Sequence, residues 1–306
     1  MNYHTVIDTV KVQVDFDTAL EQQEAVNTLI QTLATTGAFY IQDKKDVFQR
    51  DYFIYSHQTV IATITTGSSN ERSRSIVGCI QKYYISVKFA GLCRYNEKID
   101  SISHYCLLKI CAFFNDNNIA FKLTELDVCI DAECKFDNIL ALCVKKSPKT
   151  DYYALSESQA YFDTTYIEKI PLKRVDKAVL RSYVYNKSHK ENLVQQMTRF
   201  ELKLQPKYFH KYGFDIEPIE KALNRYYVMY FKNSYEKNRV IEAYEKYQSF
   251  YKREITKLGF DTYRLYPDIT KIKSFVEQLL KIDDFEVWFM YELSMQNIHN
   301  TVRNTF

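Results

Sequence analysis

The chain has 306 residues, of which 46% are hydrophobic, enough for one large or two ordinary domains with a substantial core. Its net charge of +3 is too small to announce a nucleic-acid binder by itself. No apolar leader opens the chain and no run approaches the ~18 apolar residues of a membrane span, so a soluble cytoplasmic protein without a membrane partner is expected.

In chain order, Val10, Val12, Val14 and Phe16 alternate with Lys11, Gln13 and Asp15, a half-buried strand within Thr5 to Phe16. A helix follows, capped by Asp17 or Thr18, with Glu21 in capping-box register to Thr18 and an apolar stripe of Leu20, Val26, Leu29, Ile30 and Leu33 before Gly37. Strands are expected around Val47 to Tyr55, Thr59 to Thr65 and Tyr83 to Phe89, with a polar loop from Gly67 to Ser75. Ile99 to Asn115 has helical periodicity. This order of strand, helix and several strands is an α+β opening.

The next strand, Ala120 to Ala132, is unusual. Leu126, Val128 and Ile130 alternate with Glu125, Asp127, Cys129 and Asp131, so three carboxylates share one face. Like charges on one face repel, which calls for a compensating cation. Two solutions are open: a divalent metal held with a further carboxylate such as Glu201, or pairing with Arg181, Arg199 or Lys203 on adjacent strands. Asn138 to Val144 reads as a short helix, and Gln159 to Ile167, with Tyr161 and Tyr166, as a strand.

From Lys177 to Leu204 two alternating segments flank a polar, basic insert. A period of two groups Arg181, Tyr183, Tyr185 and Lys187 on one face, and Arg199, Glu201 and Lys203 on one face with Phe200, Leu202 and Leu204 opposite. Phenols, cations and a carboxylate would then share a surface suited to phosphoryl transfer, in which a tyrosine oxygen attacks phosphorus and cations stabilise the developing charge. Such alternation is also the ordinary signature of a sheet with a solvated face. Lys169 to Lys211 carries eleven Lys or Arg against three acids, a local charge of +8, which fits a surface that tracks phosphates.

Beyond Pro206 the texture changes, and Ile216 to Phe231, Val240 to Leu258, Ile269 to Ile282 and Phe285 to Val302 read as helices. The expected organisation is an α+β domain over 1–210 and a mostly helical C-terminal domain over 211–306. Seven cysteines without CxxC or Cys/His zinc spacing are expected to be buried thiols. With 26 tyrosines and 20 phenylalanines in the chain, no single tyrosine is informative by itself.

Three segments in order, LTELDVCID (Leu123 to Asp131), VYNKSHKE (Val184 to Glu191) and TRFELKL (Thr198 to Leu204), resemble motifs of the Rep-trans, or replication initiation factor, family of rolling-circle initiators of plasmids and phages. The resemblance spans roughly residues 5 to 208. It implies a relaxase-like antiparallel sheet and site-specific nicking and joining of one strand at an origin through a 5′-phosphotyrosine. It also implies Tyr185 as nucleophile, with Tyr183 and Tyr166 as alternates, and Asp127, Asp131 and Glu201 as ligands of Mg²⁺ or Mn²⁺. Arg181, Lys187, Lys190, Arg199 and Lys203 would contact the DNA. The implied partners are single-stranded or hairpin origin DNA, a host helicase and a second copy of the chain. Unlike many rolling-circle enzymes, this chain has no His-x-His pair, and His189 and His210 are isolated. The rival reading is a non-catalytic DNA-binding accessory protein or transcriptional regulator.

Overall fold

The structure, a computed structural model, describes residues 2–35, 40–45, 50–56, 58–72, 79–145, 152–155, 159–161, 164–167, 180–213, 215–247, 257, 259–284 and 286–287. The fold is α+β with antiparallel strands. The chain divides into two compact units, one of Thr9–Thr124 with Ser274–Phe306, the other of Met1–Asp8 with Glu125–Lys273.

The unit that begins at Thr9 takes up most of β1 (Tyr3–Phe16), then α1 (Ala19–Thr35), β2 (Tyr40–Lys45), β3 (Arg50–Ser56), β4 (Thr59–Arg72), β5 (Cys79–Ala90) and α2 (Glu97–Asp116). Its strands are ordered β2, β3, β4, β5, β1, each neighbouring pair antiparallel. The expected capping box forms: Glu21 N–H donates to Thr18 Oγ1 at 3.2 Å, and Thr18 N–H to Glu21 Oε2 at 3.1 Å. α1 buries Val26, Leu29 and Leu33, whereas Leu20 is exposed. The polar stretch from Gly67 continues β4 as far as Arg72, paired with β5, where the sequence suggested a loop. Backbone pairing there needs no apolar alternation, which is why periodicity missed it. Gly37 and residues 46–49 and 73–78 lie outside the described residues.

The other unit carries β6 (Lys122–Ala132) from Glu125 onward, a 3-10 turn Phe136–Asn138, β7 (Ile139–Lys145), β8 (Tyr152–Leu155), β9 (Gln159–Tyr161) and β10 (Thr164–Tyr166). There follow β11 (Leu180–Asn186), α3 (Lys187–Glu191), β12 (Thr198–Leu204), α4 (Pro206–Tyr212), α5 (Ile216–Leu223), β13 (Tyr226–Tyr230), α6 (Ser234–Tyr247) and the start of α7 (Ile269–Lys281). Strands β6, β12, β11, β10 and β9 are neighbours in that order, and β13, β7 and β8 form a second sheet.

Two helix expectations are corrected. The apolar run Ile139 to Val144 is strand β7, because a short apolar run carries no period that separates helix from strand and its pairing with β13 decides. The segment Ile216 to Phe231 is not one helix: α5 ends at Leu223, and the β-prone YYVMY becomes β13, which borders β7. The C-terminal region is therefore helical with one strand among its described residues. The expected ends of two helices, at 248–256 and from 288 on, lie outside the described residues.

Alternation gives β13 two apolar faces. Tyr226 meets Phe200 of β12 at 5.6 Å between ring centroids, while Tyr227, Met229 and Phe231 form a cluster with Leu142 and with Val240 of α6. The apolar side of β12 is thus packed against the second sheet, and its polar side is turned the other way.

A buried carboxylate, cation and tyrosine network

Antiparallel register fixes the candidate site. Across β6, β12 and β11, Asp131, Arg199 and Tyr185 form one cross-strand row; Cys129, Glu201 and Tyr183 form the next; Asp127, Lys203 and Arg181 form the third. β10 extends the first two rows with Thr164 and Tyr166. Every one of these residues belongs to the same unit. The periodicity read in each strand alone thus becomes a two-dimensional array of chemistry.

The array is not a solvated face. Asp127, Asp131 and Arg199 have no exposed surface, Glu201 and Tyr185 are 2% and 4% exposed, and burial of such charges requires partners. Arg199 grips Asp131 in a fork, Nε to Oδ1 and Nη2 to Oδ2 at 2.6 Å each, and its Nη1 lies 2.7 Å from Asp8 Oδ1. Lys203 Nζ bridges Asp127 Oδ2 at 2.7 Å and Glu201 Oε1 at 3.1 Å. Burial works against the Lys203 charge, but Asp127 and Glu201 outweigh it and hold the ammonium above the usual lysine range.

Glu201 also accepts both phenols. Tyr185 Oη donates to its Oε2 at 3.0 Å, and Tyr183 Oη donates to its Oε1. Burial, then the Glu201 charge, push the Tyr183 hydroxyl well above the ordinary tyrosine range. Burial does the same for Tyr185, with Arg199 opposing and Glu201 reinforcing. Both are therefore neutral hydroxyls at rest, and each has a carboxylate in place to receive its proton. Burial likewise keeps Cys129 a thiol.

The structure brings together Asp127, Asp131, Tyr183, Tyr185, Arg199, Glu201 and Lys203. Tyr166 lies at the rim, 41% exposed, its ring 5.7 Å from that of Tyr183. Arg181 is half-buried opposite Lys203. Lys187 departs from its expected place: β11 ends at Asn186, whose side chain accepts from His189 N–H to cap α3, and Lys187 is 1% exposed and paired with Glu191 at 3.1 Å. Lys190 is exposed, its ammonium 4.8 Å over the Tyr185 ring. His189 and His210 are exposed. Sequence reasoning passed over Asp8, although a lone acid inside Val6-Ile7-Asp8-Thr9-Val10 is the usual mark of a buried ion pair.

Asp127, Asp131 and Glu201 have the oxygen chemistry of a Mg²⁺ or Mn²⁺ site. In this arrangement, however, Arg199 occupies both Asp131 oxygens, Lys203 bridges the other two residues, and the tyrosines take both Glu201 oxygens. Among the described residues no three His, Cys, Asp or Glu stand together so as to hold an ion. The side chains as placed do not fit such a cation. None of the six cysteines whose side chains are described is in a disulfide, and no described helix is long and apolar enough to cross a membrane.

No protein-family model matches the chain, and no curated protein matches it. Among solved structures, that of a rolling-circle replication initiator protein from Geobacillus stearothermophilus is similar over 76% of this chain and 88% of that one, at 11% identity and a TM-score of 0.39.

Proposed function

We propose that the chain initiates DNA replication by nicking and rejoining one strand at an origin, with Tyr185 as nucleophile. The observation that carries this reading is the shared carboxylate: Glu201 accepts the Tyr185 hydroxyl at 3.0 Å, while Arg199 stands opposite Tyr185 in the ladder and Lys203 lies beside Glu201. The motif resemblance supports the same assignment. In the forward step the Tyr185 proton passes to Glu201, a phenolic O–P bond forms, and the P–O3′ bond breaks. The 3′ oxygen leaves as a hydroxyl after taking a proton from water, and the 5′ phosphate stays on the protein. Arg199, Lys203 and Lys190 supply positive charge around the phosphorane. Rejoining is the reverse.

A tyrosine on a sheet face cannot attack in line within an undistorted duplex, so the substrate is single-stranded or extruded as a hairpin. Purified protein incubated with labelled single-stranded origin-region oligonucleotides, with Mn²⁺ or with EDTA, should yield a protein-linked label on a denaturing gel. Loss of the label in Tyr185→Phe identifies the nucleophile. Survival there with loss in Tyr183→Phe or Tyr166→Phe keeps the reaction and moves the tyrosine. A label equal in Mn²⁺ and EDTA means that the side-chain cations suffice.

A second reading is favoured by the burial of Tyr185 and the internal compensation of each carboxylate. It makes the chain a DNA-binding protein without strand cleavage, in which the network is structural. Salt-dependent binding with no label under any condition would establish it.

A further inference from the structure

The segment Tyr263 to Tyr266 closes the open edge of β13. Leu265 N–H donates to the Val228 carbonyl at 2.9 Å, and Met229 and Arg264 form an antiparallel bridge. Covering an edge requires only backbone, so the side chains of this segment call for a separate reason. The guanidinium carbon of Arg264 lies 4.5 Å over the Tyr227 ring centroid and 4.7 Å over that of Tyr266. Tyr227 belongs to the core, whereas Tyr266 is 52% exposed.

Arg264 Nε is buried and has no hydrogen-bond partner among the described residues, and no described carboxylate pairs with the guanidinium. Other arginines in the chain find oxygen: Arg50 on Asp43, Arg94 on the carbonyls of Val60 and Ala90, Arg199 on Asp131. A buried N–H without an acceptor costs free energy, which nothing among the described residues offsets. Ring contacts steady the guanidinium yet use none of its N–H donors, whose planar fork matches two oxygens of a phosphate. Beside it, the exposed Tyr266 ring offers a face on which a base can stack.

We infer that Arg264 and Tyr266 form a subsite for single-stranded DNA, Arg264 taking a backbone phosphate and Tyr266 stacking on a neighbouring base. This rests on the DNA-directed function proposed above and adds a contact outside the tyrosine and carboxylate network.

The test is fluorescence anisotropy of a labelled oligothymidylate with the full chain over a range of salt. Arg264→Ala and Tyr266→Ala should each weaken binding about 10-fold, and Arg264→Ala should lower the slope of log affinity against log salt by about 0.7. Tyr266→Phe keeps the ring and should bind like the parent. Arg264→Lys, which keeps the charge without the fork, should retain the salt slope and lose affinity. Parent-like affinity and slope in Arg264→Ala and Tyr266→Ala would overturn the subsite. Should Arg264→Ala fail to fold, Tyr266→Ala against Tyr266→Phe decides, because Tyr266 lies outside the core. The covalent-label assay on the unaltered protein separates this inference from the nicking reading. Normal binding by both alanine variants with a label in the parent removes only the subsite; variant-sensitive binding without any label removes only nicking.

Discussion

Arg199 and Asp131 stand directly opposite each other in the β12 and β6 ladder, joined by two bonds of 2.6 Å, with neither side chain exposed. Desolvating both charges offsets much of their attraction, so the pair as a whole contributes little net stability, whereas removing one partner strands the other. Arg199→Met should lower unfolding stability by about 3 to 5 kcal/mol, because Asp131 and Asp8 then face the interior without their cation. Urea unfolding checks this, and a midpoint within error of the parent would show that the pair is dispensable. Arg199→Lys should fall between, since a single ammonium cannot reproduce the fork.

Asp8 governs the acid response of the same cluster. Burial alone would raise its carboxyl, but Arg199, Lys187 and Lys190 outweigh burial and hold it below the usual value. The folded chain therefore releases this proton more readily than the unfolded chain does. The resulting stability is complete above the unfolded carboxylate range, near pH ~3.9, and is lost as the pH falls through the lower folded value. Asp8→Asn should flatten the fall of unfolding free energy below about pH 4. An unchanged acid slope would assign the effect to other carboxylates.

Much of this site was legible because β6, β11 and β12 carry their chemistry at a strict period of two. Three acids on one face demanded cations, and two of the three candidate cations, Arg199 and Lys203, are the partners of Asp131 and Asp127. Periodicity could not reveal that this face is buried, since alternation looks the same whether the polar side meets water or protein. Nor could it reveal Asp8, which reaches Arg199 from a strand more than a hundred residues away in sequence. Lys187 was misplaced because Asn186 stops the strand by capping α3, a side-chain event that a period-two template ignores. β7 and β13 suggest helices in the sequence because short apolar runs acquire strand geometry only through their sheet partners, β13 from β7 and β7 from both β13 and β8.

The two phenols that share Glu201 should behave as a coupled pair. Each hydroxyl donates to a carboxylate, a bond worth about 1.5 to 3 kcal/mol, and both use the same acceptor. Tyr183→Phe and Tyr185→Phe should therefore be non-additive in stability, with a coupling energy of about 0.5 kcal/mol or more in a double-mutant cycle. Strict additivity would mean that Glu201 reorganises freely. Because burial and Glu201 raise both hydroxyls, ultraviolet titration of the folded protein should show no contribution from either below about pH 10, so the double Phe variant and the parent should titrate alike there.

Glu201 is the residue on which catalysis and mere structure part. If it receives the Tyr185 proton, Glu201→Gln keeps an acceptor oxygen for a phenol but removes the base, and covalent labelling should slow by about 10² to 10⁴-fold. The remaining reaction would depend on spontaneous loss of the phenol proton, so its rate should climb with pH across the alkaline range, while the parent rate stays flatter. The amide also leaves Lys203 with Asp127 alone, so a stability loss is expected and is measured separately by urea unfolding. A variant that is destabilised but labels at the parental rate, with a parental pH profile, would make Glu201 a structural acceptor. A variant that remains folded at the assay temperature and labels only at high pH would make it the general base.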